Sequence, residues 1–230
     1  MTDGPLKARI AHALKYPFDP PGRSYLFRNG RMTEIERFDP VAEGRVPVVA
    51  SGSNGSPLRL KEKYGEAGEI PVSFGTISDL VPVFAARITG YGSVPATLAV
   101  IEGERAGVHV TWLTEDQLEI MHETESVGRG YAYCRLDGFE LDLGEHGRPD
   151  SAFAYIALHG AFAPDGRPMP LHAVSQHEAQ AHAARLAAHE GELHDFVGRN
   201  LDDLDHRGRA NEAIGRHGLP IGHPRIVRLI

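Results

Sequence analysis

The chain has 230 residues, 41% of them hydrophobic, and a net charge of −7 from 31 acids against 24 bases. That is enough for one large domain, or for a core of roughly 120–150 residues with extensions. No apolar run approaches the roughly 20 residues that cross a bilayer. The first residues lack the basic and apolar regions of a signal peptide, and the scattered arginines make no basic stripe of the kind that displaces counterions from nucleic acid. The expectation is a cytoplasmic protein with no nucleic-acid or membrane partner. Local basic groups still allow an anionic small molecule.

In chain order, Pro5 to Lys15 predicts a short helix with Leu6, Ile10 and Leu14 on one face, its proline suited to the first turn. Pro17, Pro20 and Pro21 stop it. Ser24–Arg28, Asn29-Gly30 and Arg31–Glu36 then form a hairpin signal, because Asn-Gly supplies the two positive φ angles of a type I′ turn. Residues 1–45 read as an N-terminal extension, docked on the core or bridging to another subunit.

Val46–Ala50 reads as a short buried strand. It runs into the loop Ser51, Gly52, Ser53, Asn54, Gly55, Ser56, followed by a helical turn or two over Leu58–Tyr64. Segments near 70–77, 82–90, 95–102 and 107–113 read as separate strands between Gly and Pro punctuation. Thr114 and Gln117 match a capping box, which predicts a helix to about Thr124 with Leu118 and Met121 inward. Tyr131–Leu136, Phe139–Leu143 and Ala152–Leu158 predict three more strands. After Pro170, Ser175–Arg199 reads as one long Ala-, His- and Glu-rich helix and Ala210–Arg216 as another, and the tail from Gly218 is extended. Strands with one helix among them, then helices, argue α+β over a doubly wound parallel sheet. The division expected is 1–45 extension, 46–160 core and 161–230 helical extension.

Cys134, the single cysteine, cannot form an internal disulfide and sits in a predicted strand, so it reads as a buried inert thiol. Seven of the thirteen histidines lie between His159 and His206. On one long helix His182 and His189 share a face. His177 and His194 are each five residues from their neighbour, not the four that a zinc helix needs. No metal and no cofactor is expected.

The loop Ser51–Ser56 has two readings. Its glycines let several backbone N–H groups point into one concavity, a cradle for a carboxylate or phosphate. Alternatively it is a plain strand-to-helix turn whose Ser and Asn side chains cap the helix. It lacks the Gly-Lys-Ser/Thr ending of a Walker A loop and the glycine spacing of a nucleophile elbow. Glu123 and Glu125 end the 114–124 helix, against the negative end of its dipole. Partial burial there would suit proton transfer near neutral pH. A solvated helix end is the plainer reading for two glutamates taken alone.

These motifs together resemble the gamma-glutamylcyclotransferase family. Gly52-Ser53-Asn54 stands in the strand–Tyr-Gly-Ser-Asn-Leu opening of that family. Pro95–Val100 is similar to its Ala-Thr-Leu strand, and Val108–Leu113 to the strand before its helix. Leu118–Ser126 resembles the Leu-x-x-Leu-Asp-x-x-Glu-Gly helix, and Tyr133-Cys134-Arg135 the strand that follows. The resemblance covers about residues 46–160. It implies a gamma-glutamylcyclotransferase-like α+β fold, a mixed β-barrel or sheet with packed helices, here with an N-terminal hairpin and a C-terminal helical extension.

For activity, the resemblance implies a lyase of glutathione-type metabolism that releases 5-oxoproline from a small gamma-glutamyl amine or peptide. Glu125, in the register of the family's glutamate, would be the general acid/base. Ser51, Gly52, Ser53, Asn54, Gly55, Tyr131 and Tyr133 would bind substrate. Four positions depart from the pattern: Ser51 for tyrosine, Gly55 for leucine, His122 for aspartate and Ser126 for glycine. A catalytically altered member that binds a small carboxylate or a protein partner, and a related amide hydrolase or acyltransferase, are the alternatives. A homo-oligomer remains open.

Overall fold

A computed structural model describes residues 4–35, 43–66, 68–149 and 151–230. The first helix, α1, spans Gly4–Leu14, and the hairpin is β1 (Tyr25–Arg28) with β2 (Arg31–Thr33). Arg28 pairs with Arg31 across the turn. Asn29 and Gly30 have φ of 51° and 69°, the left-handed pair that a type I′ turn requires. Glu36, the predicted end of the hairpin, lies outside the described residues.

The core elements follow as β3 (Val46–Ala50), α2 (Pro57–Tyr64), β4 (Glu69–Phe84), β5 (Ala96–Leu113), α3 (Glu115–Thr124), β6 (Tyr131–Leu136), β7 (Leu141–Asp142) and β8 (Ala152–Ala157). After them come β9 (Ala161–Phe162), α4 (Gln176–Leu186), α5 (Leu193–Asp202), α6 (Leu204–Gly215), β10 (Gly218–Leu219) and β11 (Ile226–Arg228). The main sheet runs β11-β6-β8-β3-β5-β4-β1-β2, with β7 paired to β4 and a separate β9–β10 ribbon. Only β3 with β8 is parallel. The two edges, β11 and β2, do not meet, so of barrel and sheet the chain forms a sheet.

Two readings of the sequence need correction. The four segments between 70 and 113 are not separate strands but the long arms of one hairpin, β4 and β5. The interruption at Asp79, with φ of 63°, is a bulge at which the register shifts between Ser78 and Leu80. The Asp79 carboxylate accepts a hydrogen bond from the Gly103 N–H at 2.8 Å, which binds the opposite arm to the bulge. Beyond an isolated bridge from Ala85 to Ala161, residues 85–90 are not strand: they open the connection from β4 to β5. The Ser175–Arg199 helix is also two helices. Ala188 takes φ of 51°, and the chain turns before Leu193. His189 therefore sits in the turn, and the face it was expected to share with His182 does not exist.

The period of two along the central strands separates two apolar layers. Val49, Trp112 and Cys134 face one layer. Their chain neighbours Val48, Leu113 and Tyr133 face the other, against Leu60 of α2 and Met121 of α3. Cys134 is a buried free thiol, pushed up in pKa by that burial. The C-terminal helices close a further layer over the end of the long hairpin, where Ala183, Phe196 and Ile214 meet Phe84, Ile88 and Tyr16. α1 lies on α5 through Ile10, Leu14, Val197 and Leu201. No described helix is long and apolar enough to cross a membrane.

The turn at Gly160 is the tightest junction between the sheet and the tail. Its φ is +79°, and a β-carbon there would lie 2.4 Å from the Leu219 carbonyl oxygen. Gly160→Ala is expected to cost about 2–3 kcal/mol through left-handed strain plus overpacking. Urea unfolding of the variant against the wild type measures it.

Candidate functional site

The loop after β3 turns through a 3-10 segment, Ser53–Gly55, before α2. None of its polar side chains caps that helix. Ser56 occupies the N-cap position without a capping bond, and its hydroxyl donates to the Phe18 carbonyl at 2.7 Å. The Asn54 amide donates to Glu125 Oε1 at 3.1 Å. The plain capping turn is therefore not what forms here. Two of the loop's N–H groups are used internally, Gly55 to the Gly52 carbonyl at 3.3 Å and Ser56 to that of Ser53 at 2.8 Å.

Glu125 is the C-cap of α3, its side chain 14% exposed. Lys63, the next-to-last residue of α2 and 1% exposed, forms an ion pair with the same Oε1. Its ammonium also lies 3.0 Å from the Met121 sulfur. Both partners of the carboxylate engage Oε1, and Oε2 has no hydrogen-bond partner among the described residues. Burial raises the Glu125 pKa, but the Lys63 charge, the hydrogen bonds from Lys63 and Asn54 and the charge of Arg59 outweigh it, so the carboxyl titrates below its ordinary value. Burial lowers the Lys63 pKa, opposed by Glu125.

Glu125 lines a cavity of about 180 Å³. Ser51, Gly52, Ser53, Asn54 and Tyr131 are also in its wall. Gly55 and Tyr133 are not. Gly55 backs onto His109, and a β-carbon there would lie 2.7 Å from the imidazole. That is the local reason for glycine at this position. The His109 Nε2 is 2.5 Å from the Pro21 carbonyl oxygen, so that nitrogen carries the proton. Tyr133 is buried in the layer below, its ring stacked on Phe153. His122 is hydrogen bonded to the Tyr155 hydroxyl at 2.8 Å through Nδ1.

Several wall residues had no signature in the sequence. Tyr16, just after α1, brings its phenol against Gly52, where a β-carbon would be 2.1 Å from the hydroxyl. An aromatic missing at Ser51 thus enters the wall from the N-terminal segment. Arg87, Thr89 and Tyr91 come from the β4–β5 connection. That connection is clamped by the C-terminal helices. Ile88 donates to Asn211 Oδ1 at 2.6 Å, Asn211 donates back to the Ile88 carbonyl at 3.2 Å, and Gln180 donates to the Gly92 carbonyl at 2.6 Å. Arg59 is paired with Glu62 at 2.8 Å and sits over the Tyr91 ring at 5.4 Å. Arg87 has no carboxylate within ion-pair distance among the described residues. Its Nη1 is 3.4 Å from the His159 ring. The wall therefore holds one partnered carboxylate and an excess of cationic charge.

No family model and no curated protein matches the sequence. Solved structures do. One, a gamma-glutamyl cyclotransferase, is 13% identical, with a TM-score of 0.40, over 78% of this chain and 91% of the other. An uncharacterized protein from Homo sapiens is also 13% identical, with a TM-score of 0.41, over 78% of this chain and 90% of the other.

Lys63→Met leaves Glu125 buried with its main counter-charge gone, an expected loss of about 3–5 kcal/mol at neutral pH. The sign of the pH dependence inverts. In the wild type the depressed carboxyl stabilises fully above its ordinary value and loses that contribution as pH falls through the depressed one. In the variant burial dominates and raises the pKa, so stability rises as pH falls and the carboxyl takes up a proton. Urea melts from neutral pH downward distinguish the two slopes, and adding Glu125→Gln to the variant should recover most of the loss.

Proposed function

We propose that this protein is a gamma-glutamyl cyclotransferase-type lyase that releases 5-oxoproline from a small gamma-glutamyl amine or peptide. The observation that carries the reading is the Glu125 carboxylate. It is held charged in the cavity wall against Asn54 of the Gly52–Asn54 loop, with Oε1 fixed by Lys63 and Asn54 and Oε2 unpartnered. The carboxylate is ionised and has one free oxygen to accept a proton, although its depressed pKa makes it a weaker base than burial alone would. The sequence motifs around Gly52–Asn54 and Glu125 support the same assignment.

The chemistry is an intramolecular acyl transfer. The α-nitrogen of the gamma-glutamyl group attacks its own γ-carbonyl carbon, the ring closes, and the bond to the leaving nitrogen breaks. Both reacting atoms belong to one molecule, so orientation supplies much of the rate. Two protons pass from the α-nitrogen, which enters as an ammonium, to the leaving nitrogen, which departs as one. Glu125 Oε2 carries them in turn and ends unprotonated, so the enzyme is unchanged. Arg87 and Arg59 offer cations for the substrate carboxylate. Ser51–Asn54 and Tyr131 give the pocket its floor, and the soluble substrate needs no cofactor for this step. The uncompensated Arg87 would equally suit a protein that only holds a small carboxylate, the second reading.

The assay is release of 5-oxoproline, detected by mass spectrometry, from glutathione, gamma-glutamyl dipeptides and gamma-glutamyl amines. Glu125→Gln should keep the fold and lower release by about 10²- to 10⁴-fold. Glu123→Gln, at an exposed position two residues away, should leave release nearly unchanged. Full activity of Glu125→Gln sinks the assignment. Carboxylate binding by calorimetry with no release from any substrate selects the second reading.

A further inference from the structure

Tyr16 is a wall residue whose hydroxyl proton has no acceptor among the described residues. It follows α1, is 6% exposed, and its ring stands edge-on to Phe18 at 5.6 Å. Its phenol oxygen accepts the Ala96 N–H at 2.8 Å. The oxygen is thus an acceptor in that bond, and its own proton needs an acceptor elsewhere. None takes it among the described residues. Two other phenols of the cavity differ. Tyr131 donates to the Ala96 carbonyl at 3.0 Å, and Tyr155 is bonded to His122. A buried hydroxyl that leaves its proton unshared forfeits a hydrogen bond it had in water. In a cavity wall, beside Gly52 and in the same cavity as Glu125, that proton is available to a ligand.

The absence of a side chain at Gly52 lets the hydroxyl reach the loop backbone. A β-carbon at 2.1 Å would displace it. Accepting the Ala96 N–H also polarises the O–H, because hydrogen bonds in a chain strengthen one another. The result is a neutral, pre-aimed donor in a site of low dielectric, the type of group that stabilises charge developing on a carbonyl oxygen.

We propose that the Tyr16 hydroxyl donates the hydrogen bond that holds the substrate's γ-carbonyl oxygen and stabilises the oxyanion formed on ring closure. This rests on the cyclisation reading above and adds to it a catalytic residue from the N-terminal segment. As the α-nitrogen bonds to the γ-carbon, the carbonyl π pair moves onto oxygen. The Tyr16 O–H keeps its proton and shortens its hydrogen bond. When the bond to the leaving nitrogen breaks, the pair returns and the hydrogen bond relaxes onto the lactam carbonyl of 5-oxoproline. Tyr16 neither gains nor loses a proton in the cycle.

The experiment compares wild type with Tyr16→Phe, which keeps the ring and removes only the hydroxyl. Two quantities are measured: steady-state release of 5-oxoproline, and calorimetric binding of 5-oxoproline itself. The expected result is a fall in kcat of about 10²- to 10³-fold with KM little changed, and binding weakened about threefold to tenfold. A folded Tyr16→Phe with wild-type kcat overturns the Tyr16 assignment and leaves the Glu125 reading standing. If the wild type releases nothing, the cyclisation reading fails. Tyr16-dependent binding of 5-oxoproline would then retain the donor, and binding that ignores the substitution would remove it too. If loss of the Ala96 partner prevents folding, 3,5-difluorotyrosine at position 16 preserves the oxygen while making the phenol more acidic. The alkaline loss of kcat should then move to lower pH, and an unmoved pH profile overturns the proposal.

Discussion

The site depends on one buried ion pair. Glu125 ends α3 and Lys63 lies on α2, 62 residues earlier in the chain, and each is buried where a lone charge would cost several kcal/mol. Neither helix end can be placed without the other. The pair sets the distance between the two helices, and Asn54, in the turn just before α2, adds the second hold on the same oxygen. The carboxylate is consequently oriented rather than merely present. One oxygen is fully engaged and the other is left to the cavity.

The sheet supplies the rigid part of that arrangement. β3 delivers the loop and is flanked by β5 and β8. β5 also receives Tyr131 and Tyr16 at Ala96, its first residue. The two long arms β4 and β5 carry the connection with Arg87 and Tyr91 away from the sheet, and such a connection could not hold a fixed shape by itself. Asn211 and Gln180 clamp its backbone, while the Ser93 hydroxyl donates to the Ala13 carbonyl at 2.7 Å. The segments before and after the central strands are therefore part of the cavity's construction: α1 leads into one wall, and α4 and α6 hold another.

The histidine-rich region shows where periodicity misleads. Ser175–Arg199 has helix-forming composition throughout, and nothing in a propensity scale marks Ala188 as the residue that turns left-handed. Packing decides it. α4 and α5 must both reach the apolar layer around Phe84, which a straight helix of that length could not do. The strands at 70–113 show the converse error. Asp79 and Gly103 fall in the gaps between the expected segments, yet they are joined across a bulge and leave the hairpin continuous.

The sequence by itself determined what is local. The Asn29-Gly30 turn, the Thr114–Gln117 capping box, the strand–loop–helix around Gly52–Asn54 and the position of Glu125 at a helix end all follow from contacts within a few residues, where side-chain chemistry and φ preference leave few choices. The closeness of Asn54 to Glu125 came only from motifs in register, not from any pattern in those residues. What tertiary structure decided is every partner brought from afar: Lys63 beneath the carboxylate, Tyr16 over Gly52, Arg87 and Tyr91 in the wall, and Tyr133 and Gly55 facing away from it. A buried lysine or an unshared phenol proton leaves no trace in a linear pattern. Its meaning is set by which groups the folded sheet and helices bring within hydrogen-bond reach.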